Sequence, residues 1–328
     1  MITMRPGETF NESTELVDAV TSRPTRRLTS SGAYNNTPTY HLNAAFSADS
    51  RYLVIGSARQ GGSAVLRAKV ETGELTVLAV TDGIGGAGSL HTGGDLEPFA
   101  VGSAGGGFDG NGMALIQASG WVAACLGRSL RVYNVETLEE RILIEDLGPE
   151  YRFGNPIGSI DGKKVIVTRV PAHPDLVAGL LRPTRPYRQA CVEVWGGMPT
   201  TYLQVDIASG EVVEVFHETV LGSHHIQPCP ADPDLWLIDR DAPPDFWAGG
   251  DERRSTRAWL LHAKSKELTE LAPLDEYGFQ VHTNWNVRGD RVIYHGPSSR
   301  GGQYIGAIDR NGEVLWERWF PAPYYGHV

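Results

Sequence analysis

Cysteine is scarce in this chain of 328 residues: only Cys125, Cys191 and Cys229 occur, far apart and odd in number. Their spacing excludes a disulfide framework and a cysteine-based zinc site, and predicts reduced, mostly buried thiols of a cytoplasmic protein. No run of about 18 apolar residues is present, which argues against a membrane span. The opening stretch, MITMRPGETFNESTELVDAV, has no apolar core of the kind a signal peptide needs. Positive charge is in deficit, with 29 Lys and Arg against 39 Asp and Glu and a net charge of −10. That balance excludes nucleic acid and anionic membrane as main partners. An anionic small substrate remains compatible with it if a local cationic pocket offsets the overall field. Several catalytic signatures are missing too. There is no GK[ST] ending to the Gly-rich stretch, no HExxH, no nucleophile elbow and no Ser-His-Asp order.

Turn formers are abundant, with 39 Gly and 20 Pro among 41% hydrophobic residues. Turn signals at short intervals predict many short strands. A hairpin pattern recurs as VETGELTVL from Val70, VETLEERIL from Val135, DIASGEVVEV from Asp206, HAKSKELTEL from His262 and DRNGEVLWE from Asp309. Each has Gly or a small polar residue at the turn and Val or Leu alternating around it. Upstream of each lies a second unit, a polar turn followed by a β-rich run. Its copies are FSADSRYLVI from Phe46, IQASGWVAAC from Ile116, SIDGKKVIVT from Ser159, CPADPDLWLI from Cys229 and NVRGDRVIYH from Asn286. Two such hairpins make four strands, the blade of a β-propeller.

The repeat predicts an all-β fold, a single propeller domain over residues 1–328. Five blades are recognisable, and YYGHV reads as the start of a sixth. Insertions fall at 82–112, rich in Gly, at 171–200, rich in Pro and Arg, and at 240–256. Within residues 1–25, LVDAV is compatible with a short helical turn, and RRLTSS with the start or close of a blade.

Histidines fall at one position of the repeat. His41 precedes the polar turn of the first blade, His224 and His225 that of the fourth, His282 that of the fifth, and His327 sits in the final YYGHV. Inner strands of a propeller line its axis, so equivalent positions converge at one mouth of the channel. Convergent imidazoles suit metal binding or proton transfer. His91, His173, His217, His262 and His295 do not share this register and read as structural.

In order along the chain, YHLNAAFSADSRYLVIGS, YLQVDIASGEVVEVFHETVLGSHHIQPCPADP, TRAWLL, VHTNWNVRGDRVIY and YYGHV resemble the oligogalacturonate lyase family, polysaccharide lyases with seven-bladed β-propellers. The resemblance implies pectin degradation by β-elimination in an acidic oligosaccharide substrate, assisted by a divalent metal, typically manganese. A base takes the C5 proton of the uronate, a cation neutralises the neighbouring carboxylate, and a proton reaches the leaving O4.

Residue by residue, His225 matches the family's base, while counting within the repeat selects His224. His282 matches a metal ligand, and Arg257 an arginine of substrate binding or of structure. His41 and His327 are further candidates for the site. The family's catalytic arginine falls where this chain has Thr200 and Thr201, with Arg182, Arg185 and Arg188 in the preceding insertion as possible substitutes. The remaining metal ligands of the family, a Gln and two His, belong to a last blade beyond the register of Val328, so the last blade or blades are expected to be missing or truncated, or the metal site to be incomplete or built differently. Two other readings stay open: a non-catalytic propeller that binds a glycan or protein, and a lyase or hydrolase for another acidic glycan.

Overall fold

The computed structural model describes residues 4–32, 34–36, 43–59, 62–81, 112–172, 199–218, 225–240, 256–275, 280–298 and 300–321. These form five antiparallel sheets of four or five strands and one separate hairpin. The expected all-β propeller is what the chain adopts. Both recurring units lie where the sequence puts them: each polar-turn unit is the inner hairpin of a sheet, and each Thr-Gly-Glu-like unit its outer hairpin.

Strand order in each sheet runs outward from an inner strand. The inner strands are Met113–Ile116 in the second sheet, His225–Cys229 in the fourth and Val281–Trp285 in the fifth. In the third, Tyr151–Phe153 and Ile157–Gly158 share that edge. In the first, Tyr34–Asn36 occupies it, with bridges from Ala44 to Leu115 and from Phe46 to Leu53 further along. Burial follows the order: Met113–Ile116 is wholly buried, whereas the outermost strand of the same sheet, Glu140–Ile144, alternates in and out.

The inner hairpins close in a repeated way. Ser47 and Ser159 each donate a hydroxyl hydrogen bond to the aspartate two residues on, at 2.7 Å, and each accepts the N–H of the residue five on, at 3.0 Å. Such side-chain bonds offer the backbone a turn in place of a ladder.

Neighbouring sheets are joined face to face by apolar cores. Tyr52, Val54 and Leu78 meet Leu115 and Val122 between the first two sheets. Leu130 and Val132 meet Val165 and Leu203 between the next two. Tyr202 and Ile166 meet Trp236 and Ile238 further round. Leu237 and Leu260 meet Tyr294 and Tyr304 between the last two. A close approach inside the last sheet requires Gly306, which lies opposite Tyr294. A Cβ there would stand 2.5 Å from the tyrosine ring. Gly306→Ala is expected to destabilise by about 1–3 kcal/mol through overpacking, read as a lower midpoint in urea unfolding.

The N-terminal segment covers the other face of the first sheet. Met4, Phe10 and Leu28 pack on Leu66, Leu75 and Val77, and Thr9–Asn11 adds a strand to the sheet's outer edge. Here one expectation fails: LVDAV is not a helical turn. Thr14–Val17 is a strand paired with Pro24–Arg27. The chain turns back because Asp18 accepts the backbone N–H groups of Val20 and Thr21 and the Thr21 hydroxyl, a local alternative that outcompetes the helix.

A mostly buried ion pair pins this segment, Glu12 to Arg59 at 2.6 Å, with Ser30 and Ser31 N–H also donating to Glu12. The hydrogen bond from Arg59 is the main cause that lowers the Glu12 carboxyl to about 2. A carboxyl lowered on folding stabilises above its unfolded value and loses that contribution as pH falls through the folded one. The stability gap between wild type and Glu12→Gln should therefore close between about pH 4.5 and pH 2, from about 2–3 kcal/mol at neutral pH. Thermal melts across that range check it.

Candidate functional site

His225 opens the inner strand of the fourth sheet, and His282 is the second residue of the inner strand of the fifth. Both lie at the end of the axis where the inner strands start, as the repeat register predicts. His41, His224, His327 and Arg185, with Arg182 and Arg188, lie outside the described residues.

Strand pairing gives His225 a partner that sequence reasoning missed. It stands directly opposite Asp239, the last residue of the next strand. Opposed residues of an antiparallel pair project to the same face, with Cβ atoms about 5 Å apart. Asp239 is almost completely buried, faces Arg257 Nε at 3.5 Å, and takes a hydroxyl hydrogen bond from Thr283 of the fifth sheet at 3.4 Å. A carboxylate held from behind in this way is placed to orient an imidazole on the same face. The sequence carried one signal for it, an acid ending the otherwise apolar run LWLI.

Arg257 is itself buried. Its guanidinium donates to the carbonyls of Arg240 and Gln280, both at 3.3 Å, besides facing Asp239. These contacts tie the fourth sheet to the segment entering the fifth. Gln280 reinforces the joint, donating to the Leu271 carbonyl and accepting the Ala258 N–H.

His282 adopts φ +51°, a conformation uncommon outside glycine, where the ladder slips between Val281 and Asn284. The bulge sends Thr283 toward Asp239, and places His282 Nδ1 3.0 Å from Nε2 of His295. His295 is buried, and its place at the far end of the neighbouring strand hid the pairing from a register argument.

Thr200 and Thr201 stand where the resemblance implies an arginine. Thr200 and Thr201 are buried, the Thr201 hydroxyl lies 3.0 Å from His217 Nδ1, and the cation beside it is Arg169, cross-strand, at 3.5 Å. Arg169 also pairs with Glu214 at 2.8 Å and lies over the Tyr151 ring. At the same end of the fourth sheet, Arg240 bonds Glu218 at 2.6 Å and lies over Trp259. Its Nε is buried and meets no hydrogen-bond partner among the described residues.

The chain superposes on two oligogalacturonate lyases. One was solved in complex with manganese: TM-score 0.67, 16% identity, 96% of this chain and 75% of that one. The other, from Vibrio parahaemolyticus, gives 0.68 and 16%, with 96% and 74% covered. The likeness is one of fold. A structure of prolyl endopeptidases matches at TM-score 0.52 and 11% identity over 97% of this chain and 42% of that one. The same architecture thus serves other chemistry, and function has to be argued from the site. No family model and no curated protein matches the sequence.

The manganese of the first lyase raises the question of which residues here would hold an ion. Among the described residues no group of three or more His, Cys, Asp or Glu side chains is placed to hold a metal. His282 and His295 come nearest. At 3.0 Å their facing nitrogens either share a proton or stand as two adjacent donors to one ion, and the tautomer decides between the two. Two imidazoles also fall short of the three protein ligands a catalytic site uses. His282 and His295 are the described residues of these types that would contribute to holding an ion, with any further His, Cys, Asp or Glu ligand outside the described residues, and no step below is routed through one.

Proposed function

We propose that the chain is a lyase that cleaves uronate-containing oligosaccharides by β-elimination, with His225 as the base. One observation carries the reading: His225 stands at the axial mouth opposite a buried carboxylate, Asp239, that Arg257 and Thr283 hold in place. The likeness in fold to two oligogalacturonate lyases supports the substrate class.

In the reaction His225 takes the C5 proton of the uronate. The C–H electron pair forms the C4–C5 double bond, and the C4–O4 bond breaks. The O4 leaving group takes up a proton, and no water is consumed. Asp239 fixes the imidazole and stabilises the imidazolium as it forms. The uronate carboxylate needs a cation beside it while charge builds at C5. Arg185 is the candidate, outside the described residues; Arg240, at this end of the fourth sheet, is already paired with Glu218.

Incubation with oligogalacturonides, with and without added manganese, tests the reading through the ultraviolet absorbance of a 4,5-unsaturated product. Absorbance that rises with the wild type on galacturonides and not on neutral oligosaccharides supports it. No absorbance with any uronate under either condition sinks it. A second reading, a non-catalytic binding propeller, draws on the commitment of Arg257 and Arg169 to internal carboxylates. In that case galacturonides bind without turnover, and the binding survives His225→Ala.

A further inference from the structure

Left-handed backbone outside glycine is confined to connections in the described chain, with one exception. Ser22, Ser50, Leu138 and Lys266 adopt it between strands, whereas His282 adopts it inside one. Residues held in this way cluster where function demands it. From Val281 to Asn284 the inner strand takes three steps, while its neighbour takes two, from His295 to Ile293. A regular strand would send residue 282 to the face opposite Val281 and its partner His295. The bulge instead re-aims the ring, and it meets His295.

The separation of the two rings is one that an ion requires. Imidazole binds a divalent ion such as zinc at about 2.0–2.1 Å, and two bonds of that length at right angles, the angle of an octahedral site, part their nitrogens by about 3.0 Å. His282 Nδ1 and His295 Nε2 are 3.0 Å apart.

A third donor stands on the same face. His295 is opposed to Ile305, so Gln303, two residues along, is its diagonal neighbour, within reach for a long side chain. Gln303 is 3% exposed, and its Oε1 is buried and meets no hydrogen-bond partner among the described residues. Its directly opposed neighbours are Pro297 and Phe320, whose side chains carry no donor. The other polar diagonal neighbour, Arg318, donates to the Glu317 carbonyl. A buried amide oxygen left in this state is unfavourable, and a cation held beside His295 would satisfy it.

We propose that His282, His295 and Gln303 form a binding site for one divalent transition-metal ion, built within a single sheet. The family resemblance assigns His282 alone of the three; His295 and Gln303 come from the next two strands of the same sheet. All three donors are neutral and two are imidazoles. Such a set favours transition metals over magnesium and calcium, which prefer carboxylate and water oxygens, and favours nickel or zinc over manganese. The site stands or falls by binding alone, so its failure and that of the lyase reading are distinguishable.

The test is to strip the untagged full chain with a chelator and titrate it with manganese, following the free ion by electron paramagnetic resonance. One ion should bind per chain, displaced by zinc or nickel and not by an equal concentration of magnesium or calcium. Affinity should fall at least about tenfold in His295→Ala and fall in Gln303→Leu. It should return in Gln303→Glu, which restores an oxygen ligand, and stay unchanged in His217→Ala, which alters a histidine of the third sheet. Spin-echo modulation from a directly bound imidazole nitrogen gives a second reading on the wild type, with no substitution to disturb the fold. Absence of bound manganese overturns the proposal. So do displacement by magnesium as readily as by zinc, a bound ion without nitrogen coupling, and affinity indifferent to the Gln303 variants.

Discussion

His225→Ala is expected to lower turnover of oligogalacturonides by about 10²–10⁴-fold, the usual worth of a positioned general base, with thermal stability close to wild type. His225 is half-buried at a strand start, so its loss removes little core. Asp239→Asn should follow it part of the way, because the carboxamide keeps the shape but not the charge that favours an imidazolium. Steady-state kinetics separate the roles: His225→Ala lowers kcat with substrate binding retained, as expected of a group that acts in the transition state. A His225→Ala enzyme with wild-type kcat would remove this residue from the reaction.

The second large effect is on stability. Arg257→Met should cost about 3–5 kcal/mol, the penalty for breaking a buried ion pair and leaving one charge alone. Asp239 would then sit buried, without the guanidinium that faces it, and the carbonyls of Arg240 and Gln280 would lose their donor. The fourth and fifth sheets meet at this arginine, so the loss should appear as a lower midpoint in denaturant. An arginine that served mainly to bind substrate would behave otherwise, raising KM with the midpoint unmoved. Arg257→Met therefore separates the two roles that sequence alone left open.

The fold was legible because its unit is local. Each blade is two hairpins whose turns are written in Ser, Asp, Asn and Gly, and whose strands alternate by the period of a pleated sheet. The N-terminal segment was harder to read: LVDAV has no period of its own, and the Asp18 turn that folds it back is a contact between side chain and backbone. In the site, register placed His225 and His282 at one end of the axis. Their partners were hidden by their positions in the repeat. Asp239 and His295 lie on the strand after each histidine, at the far end of the hairpin, and only cross-strand pairing brings them alongside. Arg169 beside Thr201 shows the same effect, since only cross-strand pairing brings the two together.

The central claim, that the bond is broken by elimination and not by hydrolysis, is tested most directly by mass. Trigalacturonate is incubated with the wild-type chain in water enriched in oxygen-18, and the products are weighed. The account predicts fragments whose masses sum to that of the parent, one of them unsaturated and neither carrying a label fixed by the cleavage, and none of either from His225→Ala. Fragments that together exceed the parent by one water, with oxygen-18 fixed in one of them, would contradict it.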